Sequence, residues 1–396
     1  MVKIIKLFEY IFLNFFIQYY IFNLYYKTKR LNSMKKIIIL TITILLISCG
    51  KDEIKIGFIA NLTGKQSTLG IDARDAIIMG FEKINNEGGI KGKKIKLIIK
   101  DDGFDKNKAI EGVKELIKDD VVLIIGHIVS AMSLATIPII NEKKIIMISP
   151  TTVSNEVNSK DDYFIRVSPP AGYVISLFAQ NIYKKNIKEV SIAYDLSNKT
   201  YTEDWYNWFK KEFEALGGRI NAFPFDASKE KISREFAKKI ANKAVILVTS
   251  PINAGLLTQY LKQSGVKNIF CAGWALSPEF IETAGEYSEG VIFSSNFDEN
   301  TKNENYIKFK EEFMKRYKRN PSFSSTHAYE TIMIIREVLS NIDDYSSDSI
   351  KKYILTKKVF DSLQDDKIEF DEFGDPKPVP IFIKIKNSNF ITVRNL

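Results

Sequence analysis

The chain has 396 residues, 45% of them hydrophobic and 27% charged, a composition typical of a globular protein with about two or three domains. Its formal charge of +9 is concentrated in residues 1–48, which hold seven of the 57 basic residues and one of the 48 acidic residues. The remainder, from Cys49 onward, therefore carries 50 basic and 47 acidic residues and has no stripe of Lys and Arg between aromatic residues, which argues against nucleic-acid binding.

Residues 1–33 are rich in Phe, Tyr and Ile but are interrupted by Glu9 and several amides. Two interpretations are open. The stretch is either a further membrane span or interfacial helix, or an upstream extension that is not translated because the true start is Met34. A complete signal peptide that begins with its own Met favours the second interpretation.

Residues 34–48 have the pattern of a secretory signal peptide. Met34 and two lysines precede IIILTITILLIS, an apolar stretch of twelve residues. A helix needs about 20 residues to cross a bilayer, so this stretch is too short for a span but has the length of a signal-peptide core. The following LISCG resembles a bacterial lipobox, whose cysteine becomes the lipid-bearing amino terminus. We therefore expect export and lipid anchoring through Cys49; a buried strand ending in Cys fits the whole pattern less well.

Short β-branched runs then alternate with amphipathic stretches, the pattern of a doubly wound α/β lobe. The run at residues 121–125 is continuously apolar, as expected for a parallel strand covered on both faces. Predicted strands are Ile54–Ile59, Ile95–Ile99, Val121–Ile125 and Ile145–Ile148, and predicted helices are Asp72–Asn85, Asp105–Lys118 and Ala131–Glu142.

The double proline Pro169-Pro170 marks a boundary, after which the alternation restarts as a second lobe. Ser228 is predicted to cap one of its helices. Predicted strands are Val190–Tyr194, Ile220–Phe225, Ala244–Val248 and Ile269–Ala272, with helices at Val174–Lys184, Thr202–Leu216, Ser228–Ile240 and Asn253–Lys262. Helices dominate from Asn303 to Thr356, and the tail returns to strands at Lys367–Phe370 and Val379–Ile385.

Polar side chains follow the predicted strands, at the sheet edge where parallel sheets bind ligands. They are hydroxyls, amides and aromatic rings, which suit hydrogen bonding to a small polar or anionic solute. They lie at residues 61–68, 126–130 and 149–152 in the first lobe, and at 195–201, 249–253 and 273–275 in the second.

The same segments do not suit catalysis or metal binding. The two histidines, His127 and His327, are far apart in the sequence, so no histidine cluster can hold a metal. We interpret Asp101-Asp102 as a strand-end turn and His127 as a loop-packing residue, although both could serve an enzyme on the same fold. Cys271 follows two apolar residues and is interpreted as buried. We expect no enzyme activity, no cofactor and no metal.

Several short motifs occur in a fixed order along the chain and together resemble the Leu/Ile/Val-binding-protein family, the type I periplasmic binding proteins that serve ABC importers. They include Leu62-Thr63-Gly64, Gly88-Gly89-Ile90-Lys91-Gly92, Asp101-Asp102, Ile125-Gly126-His127 and Ser149-Pro150-Thr151. The resemblance implies an α/β fold of two doubly wound Rossmann-like lobes joined by three hinge crossings, with the ligand in the cleft. It implies residues 54–169 plus 299–375 for lobe 1, and 170–298 plus 376–396 for lobe 2.

The resemblance also carries ligand positions onto this chain. The serine that binds a ligand carboxylate corresponds to Ser130, the ligands after the fourth strand to Thr151 and the adjoining residues, and the cleft tyrosine to Tyr201. The acidic residue that pairs with an amino group has no counterpart near Trp274, and Ser250 stands where a second tyrosine is expected. Trp274 would stack on the ligand, close the cleft or pack in the lobe core. The candidate ligand-binding residues are Ser67, Ser130, Thr151, Thr152, Tyr201, Ser250, Asn253 and Trp274.

The resulting prediction is an extracytoplasmic, lipid-anchored substrate-binding protein of an ABC importer. Its partners would be the importer's membrane subunits and a small-molecule solute, either an amino acid of the branched-chain type or a related small carboxylate or amide. We expect a monomer anchored through Cys49. The alternative is a ligand-sensing lipoprotein of the same fold that passes closure to a signalling partner.

Overall fold

The computed structural model describes residues 14–20, 53–64, 67–364, 367–378 and 381–393. The chain divides into two units, residues 1–52 and residues 53–396. In the first unit, residues 14–20 form an exposed helix. The predicted signal peptide and Cys49 lie outside the described residues. Within the described ranges, no helix is both long and apolar enough to cross a membrane.

The first sheet of the second unit has five parallel strands. The strands β3 and β4 are buried along their whole length, as expected for parallel strands with helices on both faces. The strands are β1 (Ile54–Ala60), β2 (Ile95–Asp101), β3 (Leu123–Gly126), β4 (Met147–Ser149) and β5 (Phe164–Arg166), in the order β2-β1-β3-β4-β5. The connecting helices are α1 (Thr68–Asn86), α2 (Lys106–Lys118) and α3 (Ser130–Lys143).

The second sheet has seven strands, five parallel and two antiparallel at one edge. The strands are β6 (Glu189–Asp195), β7 (Arg219–Phe225), β8 (Ala244–Val248), β9 (Asn268–Cys271), β10 (Ile292–Ser295), β13 (Ile381–Lys386) and β14 (Asn389–Val393), in the order β14-β13-β10-β9-β8-β6-β7. Its helices are α4 (Ala171–Lys184), α5 (Lys199–Ala215), α6 (Arg234–Ile240), α7 (Pro251–Gln263) and α8 (Pro278–Ala284). Cys271 is fully buried as interpreted, and burial raises the pKa of its thiol.

The helix α6 is shorter than predicted, and Ser228 does not cap it. The Ser228 backbone N–H and hydroxyl both donate to Asp226 Oδ1, at 3.0 and 2.5 Å, which holds Ser228 in a turn. The helix begins six residues later, and Ser233 Oγ accepts the Phe236 N–H at 3.1 Å as its cap. The helix therefore starts after Ser233, the serine that is free to cap it, and not at Ser228, which is held in a turn.

The helices that follow β10 return to the first lobe. They are α9 (Glu304–Tyr317), α10 (Phe323–Asn341) and α11 (Ser347–Lys357), and a short hairpin of β11 (Val359–Phe360) and β12 (Ile368–Glu369) follows them. The helix α10 packs directly on α1, where a side chain at Gly80 would lie 2.9 Å from Ile332 Cγ2. The chain therefore crosses between the lobes three times: after β5, after β10 and between β12 and β13. The predicted fold class of two doubly wound lobes is confirmed.

A buried ion pair ties the first crossing to the third. Arg166 ends β5 and has no exposed surface. Its Nε lies 2.7 Å from Asp375 Oδ1, and its Nη1 donates to the Ser154 carbonyl at 2.7 Å. Its Nη2 donates to Asn158 Oδ1. Because each nitrogen of this guanidinium has a protein partner, its buried charge is compensated where the chain leaves the first sheet.

The second crossing carries a carboxyl group in apolar surroundings. Glu299 lines a small cavity with Phe297, Phe323 and Phe390. Burial raises the pKa of Glu299 from 4.5 to about 7, against the opposing effect of Lys310. Since the folded-state value is raised, the contribution of Glu299 to stability is fully present below pH 4.5 and is lost as the pH rises through about 7.

Glu299→Gln is therefore expected to stabilise the protein by about 1 kcal/mol at about pH 8 and to have little effect at about pH 4, because glutamine is neutral at both. Chemical denaturation at the two pH values measures the difference. Glu311→Gln, the same change at an exposed position on α9, is the control and should show no such pH dependence. Equal effects of Glu299→Gln at both pH values would contradict the prediction.

Candidate ligand-binding site

A cleft with about 770 Å³ of empty space, part of it open to solvent, lies between the lobes, where the carboxyl ends of strands from both sheets meet. The first lobe contributes the segments after β3 and β4, and the second contributes the start of α5 and the turn after β9. The first and second crossings also line it, through Ser168, Pro169, Ser295 and Asn296. A ligand in the cleft would therefore contact both lobes and the hinge segments between them.

The wall from the first lobe offers hydrogen-bond donors. Ser130 is the first residue of α3, is 3% exposed and lines the cleft. Its hydroxyl has no hydrogen-bond partner among the residues that the structure describes. Thr151 lines the same wall, with its hydroxyl donating to the Ile128 carbonyl at 2.7 Å. The amino-terminal end of a helix favours negative charge, so this wall suits a carboxylate.

The wall from the second lobe is aromatic. The rings of Tyr201 and Trp274 meet edge to face, with centroids 6.0 Å apart. Burial raises the pKa of Tyr201, so its hydroxyl stays protonated, and the Trp274 main chain hydrogen-bonds to it. Trp205 also lines the cleft and stacks on Phe209, with centroids 5.2 Å apart. These rings offer apolar faces to the body of a ligand.

Asn198 completes the second wall and was not singled out from the sequence. It stands at the N-cap position of α5, where an asparagine side chain usually accepts a backbone N–H of the first turn. Here the side chain makes no capping hydrogen bond. It is 4% exposed, lines the cleft, and its Oδ1 is buried without a partner in the described part of the chain. An asparagine at an N-cap is a sequence signal, but it usually indicates a cap rather than a ligand contact.

Four of the eight candidate residues line the cleft: Ser130, Thr151, Tyr201 and Trp274. Of the four that do not, two belong to the first lobe. Thr152 is fully buried, and its Oγ1 lies 2.7 Å from Ser133 Oγ and accepts from Ser149 Oγ at 2.8 Å. Ser67 precedes α1 and donates to the Gly64 carbonyl at 2.9 Å. Both hydroxyls therefore serve the local structure.

The other two lie at the start of α7. Ser250 is buried at the N-cap position of that helix without a side-chain capping bond. Asn253 donates to Thr249 Oγ1 at 3.5 Å, and Thr249 in turn donates to Asp195 Oδ2 at 2.9 Å. Neither residue lines the cleft, and Asn253 is held in a polar network inside the second lobe.

The side chains considered for catalysis also lie away from the cleft. His127 is fully buried, with Nδ1 2.7 Å from Asp102 Oδ2, which agrees with a packing role. Asp101 accepts the backbone N–H groups of Leu62 and Gly103 at 2.7 and 2.9 Å, as a strand-end turn requires. In the described ranges, no group of three His, Cys, Asp or Glu side chains is arranged to hold a metal.

One carboxylate joins the lobes beside the cleft. Asp204 on α5 accepts the backbone N–H of Asn155 at 2.5 Å and its side-chain amide at 3.0 Å. Ser154 Oγ donates to the same oxygen at 3.3 Å. Burial raises the pKa of Asp204, although these hydrogen bonds and the positive charge of Arg166 oppose that effect. The second lobe is thus hydrogen-bonded to the segment that follows β4 in the first.

None of the described residues that line the cleft has a charged side chain. Two lobes around a cleft that offers hydroxyls, an amide and aromatic rings define a protein that binds a small solute. The sequence model of the periplasmic binding proteins matches residues 53–375, so this chain belongs to the periplasmic binding protein family. Members of the family are extracytoplasmic solute-binding proteins and are not enzymes.

Individual relatives cover most of the chain. The leucine-, isoleucine-, valine-, threonine- and alanine-binding protein of Pseudomonas aeruginosa is 24% identical over 342 residues, 83% of this chain and 89% of the relative. The structure of the leucine-binding protein LivK from Thermotoga maritima superposes with a TM-score of 0.78 at 23% identity, covering 86% of this chain and 97% of that one. An ABC-transporter solute-binding protein from Rhodopseudomonas palustris, in complex with 3,4-dihydroxybenzoic acid, gives a TM-score of 0.78 at 20% identity, covering 87% and 97%.

Proposed function

We propose that this protein is the lipid-anchored, extracytoplasmic solute-binding component of an ABC importer. The observation that carries the proposal is the cleft between the strand ends of the two lobes, lined by both lobes and by the crossings. Such a cleft can enclose a small molecule and release it when the lobes separate. Cys49 would hold the protein at the membrane surface, with the signal peptide at residues 34–48 removed.

The ligand is an amino acid of the branched-chain type or a related small carboxylate or amide. Relatives are named for binding leucine, isoleucine and valine, whereas a solved neighbour holds 3,4-dihydroxybenzoic acid. A carboxylate is the group these ligands share. In this chain it would lie at Ser130 and the amino-terminal end of α3, near Thr151.

Capture proceeds by hinge bending. The first lobe, residues 54–169 plus 299–375, holds the carboxylate end of the ligand. The second lobe, residues 170–298 plus 376–396, then closes on it with Tyr201 and Trp274. The packing of α10 on α1 and the Arg166–Asp375 ion pair support this assignment of the segments around the crossings.

Deletion of the gene, followed by uptake measurements with labelled amino acids and small carboxylates, tests the transport function. Loss of uptake of a compound that the purified protein binds, restored by the intact gene, is the expected result. Unchanged uptake together with loss of a ligand-dependent signalling response would contradict transport and support the sensing alternative.

Ser130→Ala is expected to weaken ligand binding by about 1–3 kcal/mol, because a ligand carboxylate oxygen would lose its donor in a buried site. Isothermal titration with the ligand identified by a thermal-shift screen measures the change. The control is Ser67→Ala, which removes a hydroxyl that does not line the cleft and should leave the affinity unchanged. Equal affinities of the wild-type and Ser130→Ala proteins would show that Ser130 does not contact the ligand.

A further inference from the structure

We infer that the ligand is a monocarboxylate that carries no ammonium group, and that its apolar body bears a hydroxyl or oxo group hydrogen-bonded to Asn198. The inference deepens the proposed function and rests on it. It makes Asn198 the residue of the second lobe that determines specificity. Two observations carry it independently: the charge of the cleft and the Oδ1 of Asn198, which is buried without a partner in the part of the chain that the structure describes.

The charge of the cleft argues against an ammonium group. An ammonium removed from water needs a negative partner or several acceptors, because burial of an unpaired charge is strongly unfavourable. None of the cleft-lining residues in the described ranges is an acid. The nearby carboxylate of Asp204 is outside the lining and is already occupied by Asn155 and Ser154.

A ligand carboxylate, unlike an ammonium group, can be bound in this cleft without a counter-charge. Neutral hydrogen-bond donors can bind an anion when they are fixed in place. The cleft supplies two kinds of donor, a hydroxyl and backbone N–H groups, at the start of α3. The Ser130 hydroxyl has no partner among the described residues, and the backbone N–H groups of the first turn of α3 begin at the same residue. The cleft is therefore asymmetric: it can hold a negative group at the first lobe but lacks a counter-charge for a positive one.

The amide of Asn198 indicates what the other end of the ligand carries. An asparagine amide has both donor and acceptor atoms, and burying them without partners is unfavourable. The Asn198 side chain is buried at the cleft surface and does not cap α5, and its Oδ1 has no hydrogen-bond partner within the described ranges. A ligand hydroxyl can donate to Oδ1, and a hydroxyl or oxo oxygen can accept from Nδ2. A neutral polar group on the ligand would thus complete this site.

The apolar residues that line the rest of the cleft indicate what kind of ligand body it can hold. Trp205, Trp274 and Phe323 present aromatic faces, and Ile175 and Val174 present aliphatic ones. Apolar surfaces of this kind bind a branched or aromatic body by excluding water from it. Hydroxylated aromatic carboxylates and branched 2-oxo acids both combine such a body with a carboxylate and a neutral polar group.

Two pairs of compounds test the inference on the full extracytoplasmic chain by isothermal titration. Leucine and 4-methyl-2-oxopentanoate share a skeleton and differ in the ammonium group, and benzoate and 4-hydroxybenzoate differ in the hydroxyl. We expect the compound without ammonium to bind at least about tenfold more tightly than leucine, and 4-hydroxybenzoate to bind about tenfold more tightly than benzoate.

Variants of Asn198 give the sharper result. Asn198→Ala should reduce the preference for 4-hydroxybenzoate over benzoate to near unity, since the polar partner is lost while the apolar walls remain. Asn198→Asp should shift the ratio between leucine and its oxo acid toward leucine by about tenfold or more, because it adds the missing negative charge. Asn253→Ala and Asn253→Asp are matched controls outside the cleft and should leave both ratios unchanged. Circular dichroism confirms that each variant is folded.

Tighter binding of leucine than of its oxo acid by the wild-type protein would overturn the ligand class and leave the importer function standing. Unchanged ratios in folded Asn198→Ala and Asn198→Asp would overturn the role of Asn198. Binding of none of the four compounds at millimolar concentration would overturn the inference, while the uptake test on the deletion strain would still decide the transport function separately.

Discussion

Replacement of Arg166 by alanine is expected to lower the free energy of unfolding by about 3–5 kcal/mol. The change leaves the Asp375 carboxylate without its partner at the third crossing and removes the donors to Ser154 and Asn158. The Asp375 side chain is only 12% exposed, so its charge stays largely desolvated after the change, although Oδ2 still accepts the Ser159 N–H at 2.8 Å. Chemical denaturation followed by circular dichroism measures the loss.

Arg219→Ala is the matched control for this prediction. Arg219 also forms an ion pair, with Nη2 2.8 Å from Glu189 Oε2, but its side chain is 81% exposed. Exposed pairs contribute about 0–1 kcal/mol, so the control should change stability little. Similar small losses for both variants would show that the first and third crossings do not depend on Arg166.

Trp205→Ala is the second change with a large expected effect, again a loss of about 3–5 kcal/mol in the free energy of unfolding. Trp205 is 1% exposed, stacks on Phe209 and meets Phe178 edge to face at 6.3 Å. Truncation leaves a cavity beside Phe209 and Phe178, where α5 packs on α4, and removes part of the cleft wall. Denaturation curves for the variant and for Trp205→Phe, which should recover more than half of the loss, measure the effect.

Trp208→Ala tests the same substitution one turn further along α5. Trp208 is only partly buried, packs against Gly172 and has Lys211 Nζ 5.4 Å from its ring centre. Trp208→Ala removes less buried apolar surface than Trp205→Ala does, so the free energy of unfolding should fall by only about 1–2 kcal/mol. A loss for Trp208→Ala as large as that for Trp205→Ala would contradict the assignment of Trp205 to the core.

The fold could be predicted because each lobe repeats a simple alternation. Buried parallel strands need continuous apolar runs, and the helices between them need one apolar face, so both leave periodic patterns. Four strands, β5, β10, β11 and β14, are not among those predicted. Three of them, β5, β10 and β11, have only three, four and two residues, so none has a run long enough for a strand pattern. The strand β14 is the outer strand of the hairpin at the sheet edge and pairs, among the described strands, only with β13.

The binding site was predicted less completely. The position of strand ends indicates which loops reach the cleft, and the family resemblance singled out Ser130, Thr151, Tyr201 and Trp274 within those loops. The position of a strand end does not indicate which way a side chain points. For this reason the sequence did not distinguish Thr151, which lines the cleft, from Thr152, which hydrogen-bonds to Ser133 inside the lobe. The contributions of the crossings and of Phe323 could not be predicted, because they depend on tertiary packing between segments far apart in the sequence.

The contact between Asp204 and Asn155 has a kinetic consequence. The lobes cannot separate until Asp204 exchanges its hydrogen bonds to Asn155 and Ser154 for water. If capture proceeds by hinge bending, a ligand enters while the lobes are apart and this contact is not formed, whereas an enclosed ligand leaves only after the contact breaks. The energy of this contact therefore enters the dissociation rate rather than the association rate. In an importer, α5 would thus help to set the residence time within which the loaded protein must meet its membrane partner.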